Sequence, residues 1–536
     1  MKKKTEILLS IMSGVLMWAA WPLRGWPGLM FIAWVPLLFL EGRISKGAKG
    51  NVFWFSFSTF LLWNVLTTWW IWNATPAAVL AWILNSLFMA SVFWAFHRTK
   101  MKLCNGTFGN FILIPYWMAF EFLHYYWDAK WPWLNLGNVF STRTTWIQWY
   151  SLTGVAGGTL WILIVNILAN NLLTALFNRQ KKSIVWHIGL IASVLVSPIV
   201  GSKIAYHHYE EQGVDTEIIV IQQNCNPWNE QFNNKYYDST IQRNVELAEK
   251  LVTPETRFVV SSESAIQEGI WLDQMDKVRA FDILGKFIDR HPHCCFVIGG
   301  TTYEWVPKGM ENDFPARQVG SSNRYYYTHN SALLIDTLNV QHRNKSRLVA
   351  GVEAIPEWMG FLKNFSLTVG IARGSLKTDK HPINLSFGEH LVGVPICYES
   401  VFGGYVSEFV RKGSDLLFVS TNDGWWGDTP GYRQHFEFSK LRAIENRRCV
   451  ARSANTGKSG FVNQKGDVLQ ETEYWKEDVI KATLKANANM TFYTKHGDYL
   501  YRIALWTTIG LVLITLLIII VVPSKIEIPE FFPDGV

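Results

Sequence analysis

The heptapeptide GVPICYE, Gly393 to Glu399, indicates how the second half of this 536-residue chain is built. Leu391 to Ile396 is a short apolar run rich in β-branched residues, which predicts a buried strand. Such a strand ends at Cys397. The buried strand would hold the residue in place while its thiol faces a cleft. On its own, a cysteine of this kind is more often a buried core residue than a nucleophile.

Two charged residues follow other predicted strands of the same half. Glu263 lies in VVSSESAI, just past the strand Phe258 to Val260, and Lys345 lies in HRNKSRLV after another β-rich run. By residue type alone, both are expected to be ordinary surface charges. A carboxylate, an amine and a thiol in this order, each near a strand end, resemble the Glu-Lys-Cys triad of the nitrilase (carbon–nitrogen hydrolase) superfamily.

The composition indicates a membrane protein. The chain has 27 Trp and 33 Phe, and only 17% of its residues are charged. The apolar residues collect in residues 1–204 and in one run near the end. The net charge of +7 lies largely in short loops between apolar runs, which favours membrane orientation over nucleic-acid binding. The six cysteines show neither metal-ligand spacing nor a repeating framework, so we expect no metal and no disulfide. We expect no cofactor either.

Eight apolar stretches predict membrane helices, seven before a large polar segment and one after it. They are Ile7 to Trp21, Leu29 to Leu40, Val52 to Trp72, Pro76 to Phe96, Phe108 to Tyr126, Trp146 to Phe177, Ser183 to Ser202 and Ile503 to Val522. The first two are short and could instead form a hairpin that does not fully cross, which leaves the later topology unchanged.

Basic residues in the short loops predict the orientation of these helices. One set of loops carries twelve Lys and Arg residues and the alternate set carries three. The first set is therefore predicted to be cytoplasmic. The predicted domains are a seven-helix transmembrane domain over residues 1–204, an outer domain over 205–498, and a last helix with a cytoplasmic tail over 499–536.

The outer segment alternates predicted strands with helical stretches, which is typical of one α/β domain around a buried sheet. The predicted strands are 216–224, 258–262, 294–303, 332–336, 391–397 and 415–423, and 434–448 is predicted to be a helix.

Three longer motifs extend the resemblance beyond the triad. They are GVPICYES, STNDGWWGDTPGYRQH (Ser420 to His435) and WPWLNLGNVFS (Trp131 to Ser141). In that order, they resemble the Cys-Tyr-Glu signature, the Asn-Asp-x-Trp-[Phe/Trp]-Gly-Asp loop with its following Gln-His, and the loop of Pro-Trp-Leu followed by aromatic residues of the apolipoprotein N-acyltransferase family. The resemblance covers nearly the whole chain. The chain departs from the family at Ser262-Glu263-Ser264, where Pro-Glu-Thr is common. After Lys345 it keeps the glutamate, Glu353, without the usual Pro and Phe.

The resemblance implies a nitrilase-like αββα sandwich on the periplasmic side of the cell inner membrane, attached to a multi-pass helical domain. It implies transfer of an acyl chain from a membrane glycerophospholipid, through a thioester on Cys397, to the α-amino group of the diacylglyceryl cysteine of an apolipoprotein, the last step of lipoprotein maturation. Glu263 would be the general base, and Lys345 with the backbone N–H of Tyr398 would stabilise the oxyanion. Glu353 and Glu399 would orient Lys345 and the nucleophile loop.

Four further residues have two interpretations each. Trp425 and Trp426, flanked by glycines, predict either a mobile lid that touches acyl chains or part of an interfacial aromatic belt. Glu121 and His124 lie in a predicted membrane helix, where ionisable residues are functional candidates. Their place near the outer end of that helix supports a water-exposed structural pairing at least as well.

Two other functions stay open at this point. A membrane-anchored amidase or nitrilase would hydrolyse a small C–N bond, although a single anchor would suffice for it. A non-catalytic membrane receptor or scaffold would use an inactive nitrilase fold, against which the intact triad argues.

Overall fold

A computed structural model describes residues 3–23, 25–104, 106, 108–128, 130–354 and 375–521. Within these residues the chain forms two compact units. One unit comprises 1–69, 77–207 and 498–536, and the other comprises 70–76 and 208–497.

Within the described residues, each apolar stretch predicted to cross a membrane contains an α-helix. The helices are α1 (Lys3–Ala20), α2 (Val35–Ser45), α3 (Val52–Thr68), α4 (Ile71–Ala74), α5 (Ala78–Leu103), α6 (Leu113–Leu123), α7 (Tyr150–Thr153), α8 (Val155–Phe177), α9 (Lys181–His208), α10 (Tyr237–Glu249), α11 (Arg279–Arg290), α12 (Gly403–Arg411), α13 (Pro430–Asn446), α14 (Phe492–His496) and α15 (Tyr499–Val521).

Five segments of the described chain are long and apolar enough to cross a membrane. They are Pro27–Ser45, Ala78–Leu103, Val155–Phe177, Lys181–His208 and Tyr499–Val521. Two apolar helical segments, Val52–Thr68 and Phe108–Leu123, are shorter. The prediction of several apolar helices is confirmed, whereas the figure of eight crossings is not, since five described segments have the required length and composition.

Helix boundaries differ from the predicted stretches at several ends, and two of these differences have a visible cause. α3 ends at Thr68 rather than Trp72, and Trp70 instead packs on Trp426 of the second unit with ring centroids 4.8 Å apart. α8 begins at Val155 rather than Trp146, because Gly154 at φ +62° interrupts the helix there.

The second unit contains two sheets. The described strands are β1 (Val214–Gln222), β2 (Thr256–Val260), β3 (Ile266–Trp271), β4 (Cys295–Trp305), β5 (Arg317–Gln318), β6 (Tyr325–Ile335), β7 (Val340–Asn344), β8 (Leu385–Phe387), β9 (His390–Gly393), β10 (Leu416–Thr421), β11 (Val450–Ala454), β12 (Gly460–Val462), β13 (Val468–Glu471) and β14 (Asp478–Ala486). All six predicted strands are present. β9 ends earlier than predicted, since Pro395 cannot donate to a ladder and only an isolated bridge, Ile396 to Ser420, follows.

The sheets pack face to face. The first has the order β14-β1-β2-β4-β6-β5, with β3 on β4 and β7 on β6, and the second has the order β13-β12-β11-β10-β9-β8. Val260 of the first sheet and Phe418 of the second lie in one buried apolar cluster. Helices α10 and α11 cover the outer face of the first sheet, and α12 and α13 pack against the second. The layers are therefore αββα.

The predicted functional residues lie just beyond strand ends. Glu263 follows β2, Lys345 follows β7 directly, and Cys397 follows β9. β1, β2 and β4 are parallel, as are β9, β10 and β11, so the carboxyl ends of neighbouring strands meet at one edge of each sheet.

Candidate active site

A cavity of about 170 Å³ in the second unit brings together the three predicted catalytic side chains. Glu263, Lys345 and Cys397 all line it, and so does Glu353. Glu399 and Tyr398 are fully buried or nearly so, but they are not part of its wall. Glu263 and Lys345 are 82 positions apart in the chain, and Lys345 and Cys397 are 52 apart. The fold brings all three to the same cavity.

Lys345 lies between two carboxylates. Its Nζ donates to Glu263 Oε1 at 3.0 Å and to Glu353 Oε1 at 2.8 Å, and its side chain is 1% exposed. Burial lowers the pKa of Lys345, but the charges of Glu263 and Glu353 outweigh it and hold the pKa well above its usual value. The amine is therefore a fixed positive charge in the cavity.

Asn330 organises the same two carboxylates, and sequence reasoning missed it. Its Nδ2 donates to Glu263 Oε1 at 2.7 Å and to Glu353 Oε1 at 3.3 Å. The other oxygen of Glu353 accepts from the backbone N–H of Val349 at 2.9 Å. No local signal marks it, because Asn330 is half-buried in the middle of β6 between His329 and Ser331, and only its partners in other segments show its role.

Cys397 adopts a left-handed backbone conformation, with φ +49°. Burial and then the carboxylate of Glu263 raise the pKa of the Cys397 thiol, whereas Lys345 and a hydrogen bond from Thr421 lower it. A thiol with a raised pKa needs a neighbouring base to become a nucleophile. Glu263 is the carboxylate on the same cavity wall whose charge acts on this sulfur.

Glu399 lies behind the nucleophile loop. Its Oε2 accepts from Arg343 Nη1 at 2.6 Å and from the backbone N–H of Ile396 at 2.8 Å, and its Oε1 accepts from the Tyr405 hydroxyl at 3.0 Å. Burial raises the pKa of this carboxyl, but the Arg343 guanidinium outweighs it and keeps the pKa below its usual value. Glu399 therefore braces the loop that carries Cys397.

A second buried network supports the other side of that loop. Asp423 Oδ2 accepts from Arg452 Nη2 at 2.6 Å, and Asp423 Oδ1 lies 3.0 Å from His435 Nδ1. The opposite ring nitrogen, Nε2, lies 3.2 Å from the carbonyl oxygen of Cys397. Burial raises the pKa of Asp423, but Arg452 and His435 outweigh it and lower the pKa to about 2.

Cys397, Asp423 and His435 also form a candidate metal-ligand set, with ligand atoms within 4.8 Å of one another. A thiolate, a carboxylate and an imidazole would suit zinc. Arg452 donates to Asp423 and lies 3.0 Å from His435 Nδ1. Its guanidinium already balances the negative charge of Asp423, and a metal ion beside it would be repelled. These residues therefore fit a support for the Cys397 backbone better than a metal centre.

Trp425 and Trp426 both line the cavity. Trp425 meets Trp228 edge to face, with centroids 4.9 Å apart, and Trp426 packs on Trp70. The Trp426 carbonyl accepts from Asn73 Nδ2 at 2.9 Å. The two indoles are thus apolar walls of the space above the thiol.

Glu121 and His124, in the first unit, are both buried, so the water-exposed interpretation is wrong. The carboxylate of Glu121 accepts hydrogen bonds at 2.7 Å from the Leu136 backbone N–H, the Thr159 hydroxyl and the Tyr501 hydroxyl. It therefore connects α6, α8 and α15. If these hydrogen bonds were lost, the buried Glu121 carboxylate would be left without partners in apolar surroundings, which is costly.

Comparison with known proteins finds two domain matches along the chain. Residues 13–168 match the apolipoprotein N-acyltransferase N-terminal domain, and residues 291–489 match the carbon-nitrogen hydrolase domain. Apolipoprotein N-acyltransferase of Chlorobaculum tepidum is 28% identical over 529 residues, covering 93% of this chain and 94% of that protein. The Geobacter metallireducens protein of the same name is 26% identical over 520 residues, covering 92% of each chain.

Among solved structures, Saccharomyces cerevisiae Nit3, a member of branch 10 of the nitrilase superfamily, covers 51% of this chain and 90% of its own. It is 16% identical with a TM-score of 0.37. The αββα layers and the thiol-bearing cavity define a carbon–nitrogen hydrolase domain. With both matched domains in one chain, the protein belongs to the apolipoprotein N-acyltransferase family.

Proposed function

We propose that this protein transfers an acyl chain from a membrane glycerophospholipid, through a thioester on Cys397, to the α-amino group of a diacylglyceryl cysteine at the N-terminus of an apolipoprotein. The observation that carries the proposal is the Lys345 ammonium held between Glu263 and Glu353 in the cavity that also holds the Cys397 thiol. A base, a fixed positive charge and a nucleophile are the groups that acyl transfer through a thiol requires.

In the first half-reaction, Glu263 accepts the thiol proton and the Cys397 sulfur attacks an ester carbonyl carbon of the phospholipid. The carbonyl oxygen becomes an oxyanion, which the Lys345 ammonium and the Tyr398 backbone N–H stabilise. The ester C–O bond then breaks, and the leaving alkoxide takes the proton from Glu263. The products are a lysophospholipid and the acyl thioester.

In the second half-reaction, the α-amine of the acceptor attacks the thioester carbonyl carbon and loses a proton to Glu263. A second oxyanion forms at the same position, so Lys345 serves both steps. The C–S bond breaks, an amide forms, and the Cys397 thiolate regains its proton from Glu263. The Trp425 and Trp426 walls suit an acyl chain, because an apolar chain entering the cavity leaves water for aromatic surface.

The membrane setting of the proposal follows from the substrates, both of which are lipids. We propose a cell inner-membrane protein with eight crossings and domains at 1–204, 205–498 and 499–536, the middle one periplasmic. Three observations support it: the apolar helices of the first unit, the charge bias of the loops and the family match over residues 13–168.

The test is to trap the intermediate on the full chain in detergent. Phospholipid carrying a labelled acyl chain, given without an amine acceptor, should label the protein, and hydroxylamine or a diacylglyceryl peptide with a free α-amine should release the label. Cys397→Ala should take up no label, Glu263→Gln should fold yet fail to acylate, and Cys104→Ala is the matched control that keeps the label.

The same experiment separates the alternatives. A hydrolase would show little standing thioester and fast loss of label to water, and a receptor would show no label. Labelling that persists in Cys397→Ala would refute the proposed mechanism.

A further inference from the structure

Four aromatic side chains near the ends of β3, β4 and β6 contact one another, and we call them the aromatic surface. They are Trp271, Tyr303, Trp305 and Tyr326. Trp271 contacts the other three, with ring centroids 4.2 Å from Trp305, 5.3 Å from Tyr303 and 5.6 Å from Tyr326. All four residues are half-buried, so the described residues leave part of each uncovered. None of the four lines the catalytic cavity.

The register of the strands places these rings on one face of the first sheet. Trp271 lies opposite Tyr303, and Trp305 lies opposite Tyr326. Tyr303 and Trp305 are two positions apart on β4, so their side chains point to the same side of the sheet. Gly269 of β3 permits this arrangement, because a Cβ at this position would clash with the Tyr303 ring.

The same face continues into the wall of the catalytic cavity. Thr328 lies opposite Tyr303, and Asn330 lies opposite Thr301. Thr301, Thr328 and Asn330 all line the cavity. Two positions along a strand span roughly 7 Å, so Tyr303 adjoins the cavity wall and Trp305 lies one step further out. The aromatic surface therefore begins beside the cavity and leads away from it.

Contacts within the described chain hold these rings in place. Arg324 lies over the Trp305 ring, with its guanidinium carbon 3.6 Å from the centroid. The Trp305 indole N–H donates to Asp273 Oδ2 at 3.0 Å. A ring that is already stacked and hydrogen-bonded loses little freedom when a ligand binds, and rigid aromatic side chains are therefore favoured in recognition. The surface is suited to binding a peptide.

The acceptor substrate needs a peptide-binding surface at this place. Its lipidated cysteine must bring the α-amine to the thioester on Cys397, and the peptide that follows this cysteine must leave the cavity along its wall. The phospholipid donor has no peptide, and the indoles of Trp425 and Trp426 already provide apolar walls for its acyl chain. The continuity of the aromatic surface with the cavity wall therefore favours the acceptor peptide as its ligand.

We propose that the aromatic surface binds the first few residues that follow the lipidated cysteine of the acceptor. This inference rests on the proposed function, from which the acceptor is taken. The peptide passes Tyr303 first and then reaches Trp271 and Tyr326. Indole and phenol rings contact apolar side chains and polar main-chain groups alike, so the surface accepts peptides of different sequence.

The test compares two acceptors on the full chain in detergent: diacylglyceryl cysteine amide, and a diacylglyceryl peptide in which four further residues follow the cysteine. The protein is first loaded with a labelled acyl group from phospholipid, and transfer of the label is followed at increasing acceptor concentration. The parent should show a kcat/KM more than about tenfold higher for the longer acceptor, because only that acceptor reaches several rings. The difference should lie mainly in KM.

The measurement in each variant is the ratio of kcat/KM for the two acceptors, so a general loss of activity cancels. Trp271→Ala should lower this ratio by about tenfold, because it removes the ring that contacts the other three. Trp271→Phe keeps a ring and should retain most of the ratio. Tyr326→Ala should lower the ratio too, whereas the matched control Tyr325→Ala should not, since that side chain points to the other side of β6.

Equal kcat/KM values for the two acceptors in the parent would overturn the proposal, and so would a parental ratio in Trp271→Ala. A surface that binds the membrane would lower transfer to both acceptors alike in Trp271→Ala and leave their ratio unchanged, which is also contrary to the proposal. A parent that forms no thioester would refute the proposed function together with this inference. A labelled thioester with equal use of both acceptors would refute the peptide site alone.

Discussion

Glu399 accepts hydrogen bonds from both terminal nitrogens of Arg343, at 2.6 and 3.0 Å, and neither side chain is exposed. Arg343 lies two residues before Lys345, and Glu399 lies two residues after Cys397. The ion pair therefore joins the strand that carries the amine to the loop that carries the thiol. A bidentate contact fixes direction as well as distance, so it sets how these two groups face the cavity.

Removing Arg343 should destabilise the protein far more than removing an exposed arginine. Arg343→Met leaves a buried carboxylate without its cation, which typically costs roughly 3–5 kcal/mol, whereas Arg279→Met breaks an exposed pair with Asp238 worth roughly 0–1 kcal/mol. Thermal unfolding in detergent measures both. Arg343→Met/Glu399→Gln should cost less than the sum of its single variants, and strictly additive costs would contradict the pairing.

Lys345→Ala should slow thioester formation by about 10²–10³-fold, because it removes a stabiliser of the oxyanion. Lys345→Arg should not restore the rate, since a planar guanidinium cannot take the place of a compact ammonium between two carboxylates. The exposed Lys485→Ala serves as the control. The rate of label uptake in a single turnover is the measurement, and a near-normal rate for Lys345→Ala would remove this residue from the mechanism.

Asp423 should make stability depend on acid pH. Its pKa is about 2 in the folded chain and about 3.9 in an unfolded one, so its ionised form favours the folded state. The contribution, roughly 2–3 kcal/mol, is complete above about pH 4 and is lost as the pH falls towards 2. Asp423→Asn should therefore unfold at lower temperature at pH 6 and approach the parent as the pH falls. Parallel midpoint curves from pH 6 to pH 3 would contradict this.

Gly424→Ala should impair acyl transfer by displacing the segment that carries Trp425 and Trp426. A Cβ at position 424 would clash with the hydroxyl oxygen of Thr456, a fully buried side chain, so one of the two must move. A displacement near 1 Å costs about 10²-fold in rate. Gly285→Ala, in α11, meets nothing within 4 Å and should keep full activity with slightly higher stability. Equal rates for both variants would exclude the steric argument.

A topology test addresses the predicted orientation. A reporter fused after Lys182 should be cytoplasmic, because the loop there belongs to the basic set, whereas one inserted near Lys308 should be external. Both positions are exposed. Alkaline phosphatase and green fluorescent protein fusions give opposite signals for the two sides. Finding both positions on the same side would contradict the charge argument.

The strands could be predicted from the sequence because their signal is local. Strands such as Leu416–Thr421 are buried on both faces, so they are apolar along their whole length. This pattern can be recognised in the sequence without knowing the partner strand. The ends of the helices could not be predicted as well from the sequence. The short interruption at Gly154 and the attachment of Trp70 to the second unit depend on contacts that no local pattern records.

The candidate site was only partly predictable for the same reason. Glu263, Lys345 and Cys397 were proposed through resemblance, since their spacing along the chain says nothing about convergence. Asn330 and Arg343 were missed because their roles depend on partners in other strands and loops, to which their own neighbours give no clue.

At position 397, the thiol that the proposed reaction requires has a left-handed backbone conformation that lowers the stability of the folded chain. A side chain with a β-carbon at φ +49° costs roughly 1–2 kcal/mol, which glycine would avoid and asparagine would reduce. A laboratory selection for folding alone would therefore drift towards Cys397→Gly or Cys397→Asn, variants that lack the proposed nucleophile. Selection for thermostability therefore acts against keeping the thiol. Mutagenesis aimed at stabilising this chain should leave Cys397 unchanged.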